Sequence, residues 1–336
     1  MVNLKRLRSK FENLFNTGVP VLMYHRIFTP DADPWQLSVS PENFETQLQF
    51  LQKRYTIISM EQLGEQLLHG KINSRSLVMT FDDCYTDNYH FARPLLEKYE
   101  CPATFFVPSA LIGRNQLYWW DELQELILNT LVLPNKLELF IGSEQFEQQV
   151  HSVVLKQDEA EAQSKWTFHD PPATERCDLY FRLWKLLRPL PAMQIRNVLN
   201  QIKQRLAREI EPGNHDLPMN FSQLNEIRNS ALFTLGIHTS THPLLESHPE
   251  AMQREEIVDC KKWLWHHFGE STPVMAYPYG SYNATTLKIL QEENVTLGFT
   301  TEAVTVKRNS SPLELGRFQI LNWNAAQLEE FLRRNS

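Results

Sequence analysis

Five short apolar runs, at residues 19–25, 77–83, 103–107, 232–238 and 274–279, each end in polar side chains capable of chemistry. Continuous apolar runs of this length read as strands buried on both faces, which is what a parallel sheet demands. Helical patterns lie between them at 41–54, 87–99 and 249–268, so strand and helix alternate as parallel α/β architecture requires. Such folds gather their sites at the carboxyl ends of the strands. The polar clusters of this chain all occupy that position.

Residues 114–219 break the alternation and read as a helix-rich insertion within a single domain spanning 1–336. The insertion carries LYWWDEL, a strand-like LELFI, and helical patterns at 177–187 and 191–210, with Pro189 and Pro191 separating one helix from the next. The chain's 42% hydrophobic content fills a sizeable core, but composition alone permits one large barrel or two modest domains.

A net charge of -7 argues against a phosphate-backbone binder, so nucleic acid is not an expected partner. The four cysteines, Cys84, Cys101, Cys177 and Cys260, are widely spaced and form no CxxC pair, which fits a reducing compartment. The N-terminal MVNLKRLRSKFENLF has no secretory pattern, and no later segment is long and apolar enough to span a bilayer. Leu4, Leu7, Phe11, Leu14 and Phe15 recur at helical spacing among basic residues, as in a helix docked on the domain or lying on a membrane surface. The expected location is cytoplasmic, with peripheral contact at the inner membrane surface through this segment.

Three clusters carry chemistry. At Thr80-Phe81-Asp82-Asp83-Cys84, a strand delivers two adjacent carboxylates, which can serve one site only if the chain turns there. An acidic pair alone reads first as a solvated turn with a helix N-cap. At His238-Thr239-Ser240-Thr241-His242, two imidazoles stand four residues apart after an apolar strand, and a helical turn from Ser240 would face both rings the same way. Paired imidazoles suit zinc or a similar divalent ion completed by a carboxylate and water. The third cluster, Ala276-Tyr277-Pro278-Tyr279-Gly280, is in isolation an ordinary Pro-Gly turn.

Together, in this order and spacing, the clusters resemble the polysaccharide deacetylase family, the fourth carbohydrate esterase family, with its TFDD, H[ST]xxH and RxPY motifs. VLMYHRI, SPENFETQLQFLQKRY and DNYHFARPLLEKYECPATFFVPS extend the similarity, as do the stretches around Glu256 and Gly298. The resemblance implies a distorted (β/α)7-type barrel that hydrolyses the acetamide of an N-acetylated sugar, releasing acetate and a free amine. It implies one divalent metal ion, zinc first and cobalt or nickel as alternatives, held by Asp83, His238 and His242. It also implies Asp82 as general base and the Tyr279 backbone N–H as oxyanion donor, with Pro278 and Tyr279 against the substrate.

Three departures stand out. Ala276 replaces the arginine that opens the third motif, and Arg317, at the end of another apparent strand at 315–321, is the expected substitute. The late LxH motif is absent from Ile320-Leu321-Asn322-Trp323-Asn324, so His25 in the MYH segment is the expected general acid. Cys84 stands where glycine is usual, as a small buried residue or as a thiol able to join the metal. Trp119, Trp120, Trp323 and Tyr282 are candidate stacking surfaces for a sugar ring. Two other readings share these features: a carbohydrate-binding pseudoenzyme, and an amidohydrolase acting on a non-sugar C–N bond.

Overall fold

The computed structural model describes residues 18–213, 215–269 and 274–335. The N-terminal amphipathic segment therefore lies outside the described residues. Eight strands form the main sheet: β1 (Val21–Tyr24), β2 (Thr56–Ile57), β3 (Ser76–Phe81), β4 (Ala103–Val107), β5 (Phe233–Ile237), β6 (Val274–Ala276), β7 (Leu297–Phe299) and β8 (Phe318–Gln319). Seven run in the order β7-β6-β5-β4-β3-β1-β8, and β2 pairs with β3 off this path. All these pairings are parallel.

Parallel neighbours need long crossovers, and helices supply most of them. They include α1 (Pro41–Arg54), α2 (Met60–Leu68), α3 (Arg93–Lys98), α4 (Trp119–Ile127), α5 (Gln157–Lys165), α6 (Glu175–Leu187), α7 (Ala192–Leu206), α8 (Phe221–Asn229), α9 (Glu250–Phe268), α10 (Ala284–Glu292) and α11 (Ala325–Asn335). Edge strand β7 meets the segment that leads into β8 at an isolated parallel bridge, Phe299 to Leu315. The result is the distorted, incompletely laddered (β/α)7 barrel that the sequence led us to expect.

Local chemistry explains the element ends. The Ser40 hydroxyl accepts from the Asn43 N–H, Pro41 occupies the first turn of α1, and Phe44, Leu48 and Leu51 bury one stripe. α9 stops where Gly269 adopts a left-handed φ of 68°. The helix expected over 87–99 is instead a π-helical turn, Asn88–Ala92, leading into α3. Pro94 explains this, because it has no N–H to give the preceding turn and the ladder must reset around it. The helix expected over 191–210 ends at Leu206, where Ala207 turns left-handed with φ 46°.

The region between β4 and α8 builds a second core in which Trp120, Leu123, Tyr180, Leu183 and Leu199 pack together. Its strand-like LELFI is one arm of an antiparallel hairpin, Lys136–Ile141 with Glu144–Gln149. The second arm, EQFEQQ, shows no apolar alternation and gave no signal in the sequence. Arg176 of α6 is fully buried and ties this layer together by donating to the carbonyls of Thr130, Ser152 and Val153.

Candidate active site

β3 delivers Asp82 and Asp83, and the required turn is present: Asp83 and Cys84 take left-handed φ values of 68° and 52°. The Tyr118 hydroxyl holds this turn by donating to the Asp83 carbonyl. β5 ends at His238. The residues after it form a loop and not the helical turn that would have explained the spacing, with Thr239 and His242 at φ 64° and 62°. The two imidazoles nevertheless converge, because the Thr239 side-chain oxygen accepts from the His242 N–H at 3.0 Å and closes the loop.

Asp83 Oδ1 lies 3.4 Å from His238 Nε2 and 3.3 Å from His242 Nε2. It is buried and makes no hydrogen bond. His238 Nδ1 sits 2.8 Å from the Ala276 carbonyl. A carbonyl can only accept, so Nδ1 carries the hydrogen and Nε2 is left as the lone-pair face. Burial pushes His242 down to about 4, leaving its ring neutral near pH 7. Burial also pulls His238 down, but Asp82 and Asp83 outweigh it and raise this ring, which must shed its proton to a cation. The three ligand atoms lie within 4.8 Å of one another. A buried orphan carboxylate oxygen facing two imidazole nitrogens fits a divalent ion.

Asp82 lies beside this set and binds differently. Arg317 Nη1 and Nη2 each donate to one of its oxygens at 2.7 Å. The guanidinium also reaches Thr80 Oγ1 at 3.1 Å and the Thr300 carbonyl at 3.1 Å. Arg317 precedes β8 and does not end a strand, so its fully buried side chain enters from within the barrel. Burial would raise the Asp82 carboxyl, but Arg317 and His238 hold it well below the usual carboxylate range. His25 Nε2 is 3.9 Å from Asp82 Oδ2, and burial lowers the pKa of this imidazole against the pull of both aspartates. Cys84 points elsewhere: its thiol donates to the Phe106 carbonyl at 3.4 Å, and burial pushes its pKa well up.

His25, Asp82, Asp83, His238 and His242 line a cavity of about 150 Å³ whose aromatic walls are Trp35, Trp120, Trp184, Tyr277 and Tyr279. Of the expected stacking residues only Trp120 faces it, and of the two expected against the substrate, Pro278 and Tyr279, only Tyr279 does. Pro278 is buried outside the lining. Tyr282 stacks on Tyr277 from outside, with its hydroxyl on Glu314. Trp323 packs on Phe331, and Trp119 stands one layer back, donating to the Tyr279 hydroxyl at 3.2 Å. Sequence reasoning missed Trp35 and Trp184. Trp184 falls on the same helical stripe as Tyr180, Leu183 and Leu187, so it reads as a core position.

Glu256 was also missed as a working residue. From α9 its Oε2 accepts from the Ser240 and Thr241 N–H groups at 2.9 and 2.7 Å, and its Oε1 accepts from the Thr241 hydroxyl at 2.5 Å. The available signal was a carboxylate on a stripe that otherwise buries Gln253, Ile257, Cys260 and Leu264. Glu256→Gln keeps an oxygen for the two N–H groups but loses the negative charge and puts an NH2 donor where Oε1 accepts from the Thr241 hydroxyl, which loosens the imidazole loop. Metal affinity is expected to fall by roughly 10–100-fold, the usual effect of an outer-shell change. Competition against a chromophoric chelator measures this, and an unchanged affinity would remove Glu256 from the account.

A sequence profile of the polysaccharide deacetylase family matches residues 69–136 and 184–298. The chain is 33% identical over 110 residues to YxkH of Bacillus subtilis, an alignment covering 32% of this chain and 38% of that protein. It is 27% identical over 113 residues to the poly-beta-1,6-N-acetyl-D-glucosamine N-deacetylase of Staphylococcus aureus, covering 30% and 39%. The chain thus aligns with well under half the length of these curated relatives. Among solved structures, IcaB from Ammonifex degensii superposes with a TM-score of 0.58 at 18% identity, covering 94% of this chain and 97% of that one. The Streptococcus pyogenes deacetylase PplD gives 0.53 at 22% identity, covering 93% and 97%; these likenesses concern the fold. With its profile match extending over more than half of its residues, the chain belongs to the polysaccharide deacetylase family.

Proposed function

We propose that the protein hydrolyses the acetamide of an N-acetylated sugar, releasing acetate and a free amine, with a divalent ion, zinc first, held by Asp83, His238 and His242. One observation carries this reading: a buried, unbonded carboxylate oxygen converges on two imidazole nitrogens while a second carboxylate, held ionised by Arg317, lies beside them outside that set. An ion bound there supplies Lewis acidity toward an acetyl carbonyl and makes a bound water acidic near neutral pH.

The protein's own residues manage the protons and the fit. Asp82 takes a proton from the attacking water. His25, neutral at rest and 3.9 Å from Asp82, receives the proton that Asp82 has taken and delivers it to the nitrogen of the departing amine. The Tyr279 backbone N–H, at a residue with φ 58°, is assigned to the developing oxyanion. Trp120, Trp184 and Tyr279 exclude water and offer flat apolar faces to a sugar ring.

Asp82→Asn is expected to lower turnover by roughly 10²–10⁴-fold, the span of a general base, while the ion stays bound. An acetate assay paired with metal analysis tests this. Loss of the ion together with activity would count against a separate base. His25→Gln is expected to slow acetate release, again with metal retained, and full release by that variant eliminates the relay. The pseudoenzyme reading requires that wild-type protein bind N-acetylhexosamines without turnover. Release of acetate from small non-sugar amides alone would favour the amidohydrolase reading.

A further inference from the structure

A second cavity, of about 290 Å³, shares a wall with the metal pocket: His242 lines both. Its sides include Leu111, Leu117, Leu190, Met193 and Ile195, its charged lining residues are Arg114 and Arg196, and no carboxylate lines it. The polar tips along its wall are mostly committed. Tyr118 donates to the Asp83 carbonyl, Trp119 to Tyr279, and Thr241 to Glu256. Arg196 pairs with Glu122, and Lys203 behind it reaches both Glu122 at 3.3 Å and Glu209 at 3.5 Å, so these cations are matched. Arg114 has its Nε on the Ala110 carbonyl at 3.0 Å, and its terminal nitrogens form no ion pair among the described residues.

A further sugar would need donors and acceptors that this wall no longer offers. What the wall offers is apolar surface beside the unmatched guanidinium of Arg114. The other cavity beside the metal pocket has the opposite character, lined by Asp31, Asp33, Asp121, Glu125 and Asp216 against Arg26. An anion is therefore directed to the His242 side. Met193, 74% exposed at the cavity rim, adds an unpartnered apolar side chain there.

We propose that this cavity holds an apolar aglycone joined to the sugar through phosphate, so that the substrate is an N-acetylated sugar carried on a lipid phosphate. This rests on the deacetylase reading for its chemistry, but binding can be measured without turnover. The experiment titrates decyl phosphate, below its aggregation threshold, into the full metal-loaded chain by calorimetry, with decanol and inorganic phosphate as the separate halves of the probe. Decyl phosphate is expected to bind saturably, at least about tenfold more tightly than either half, where tenfold corresponds to 1.4 kcal/mol.

Met193→Asp and Arg114→Glu, both at exposed positions, are each expected to weaken decyl phosphate by about tenfold or more. Circular dichroism checks that both variants fold. Equal binding of decyl phosphate and decanol, or binding indifferent to both substitutions, overturns the assignment. Wild-type protein that binds decyl phosphate as described yet releases no acetate from any N-acetylated sugar keeps the cavity assignment and removes the deacetylase reading.

Discussion

Replacing Arg317 by methionine is expected to lower the unfolding free energy by about 3–5 kcal/mol, because it strands the Asp82 carboxylate as an unpaired buried charge. In the native protein Asp82 titrates below its unfolded value of about 3.9, so its contribution is complete above that pH and is lost as the pH falls further. Without the guanidinium, burial acts unopposed by its main partner and the carboxyl pKa rises. The sign of the linkage then reverses, and the variant gains stability as the pH drops through the raised pKa. Its acid limb of kcat/KM moves to higher pH, because Asp82 must be ionised to accept a proton. Denaturant unfolding at several pH values and a pH-rate profile read both effects. Adding Asp82→Asn to Arg317→Met should recover part of the stability and none of the activity, which separates a stranded charge from a simple loss of packing.

Replacing Asp83 by asparagine is expected to reduce metal affinity by more than the roughly 10–100-fold of outer-shell changes and to abolish acetate release. The substitution preserves size and removes the anionic oxygen on which both imidazoles converge at 3.3–3.4 Å. Metal content after dialysis reads this directly. A variant that retains stoichiometric metal would mean that Asp83 is not a ligand.

The alternation of apolar runs and helical stripes was enough to expect a parallel sheet. The polar residues closing those runs marked where the site would lie, because strand ends are where such folds place loops. The clusters holding Asp82, Asp83, His238 and His242 stood out because each directly follows an apolar strand or sits within a few residues of one, but their expected roles rested on the family resemblance. Arg317 was suggested only as a stand-in for the arginine missing at Ala276. Nothing local in its sequence says that its side chain travels through the barrel to Asp82.

Trp35, Trp184 and Glu256 escaped for a related reason. Each reads locally as a loop aromatic, a core stripe member or a helix carboxylate, and acquires its place only through contacts between distant segments. Tyr282 and Trp323 show the converse, since proximity in sequence to the third motif or to the chain's last strand did not bring them to the cavity. The wrong local geometry at His238 and His242 has the same origin: two rings four residues apart can converge through a loop with left-handed residues as well as through a helix.

The most direct measurement of the central claim is acetate release from an N-acetylhexosamine-containing substrate by wild-type protein as purified, after exhaustive chelation, and after one equivalent of zinc is returned. The expected result is activity that vanishes with the metal, returns with a single ion per chain, and does not return in Asp83→Asn. Acetate release that survives chelation, or that Asp83→Asn supports as well as wild type, would contradict a metal held by Asp83, His238 and His242.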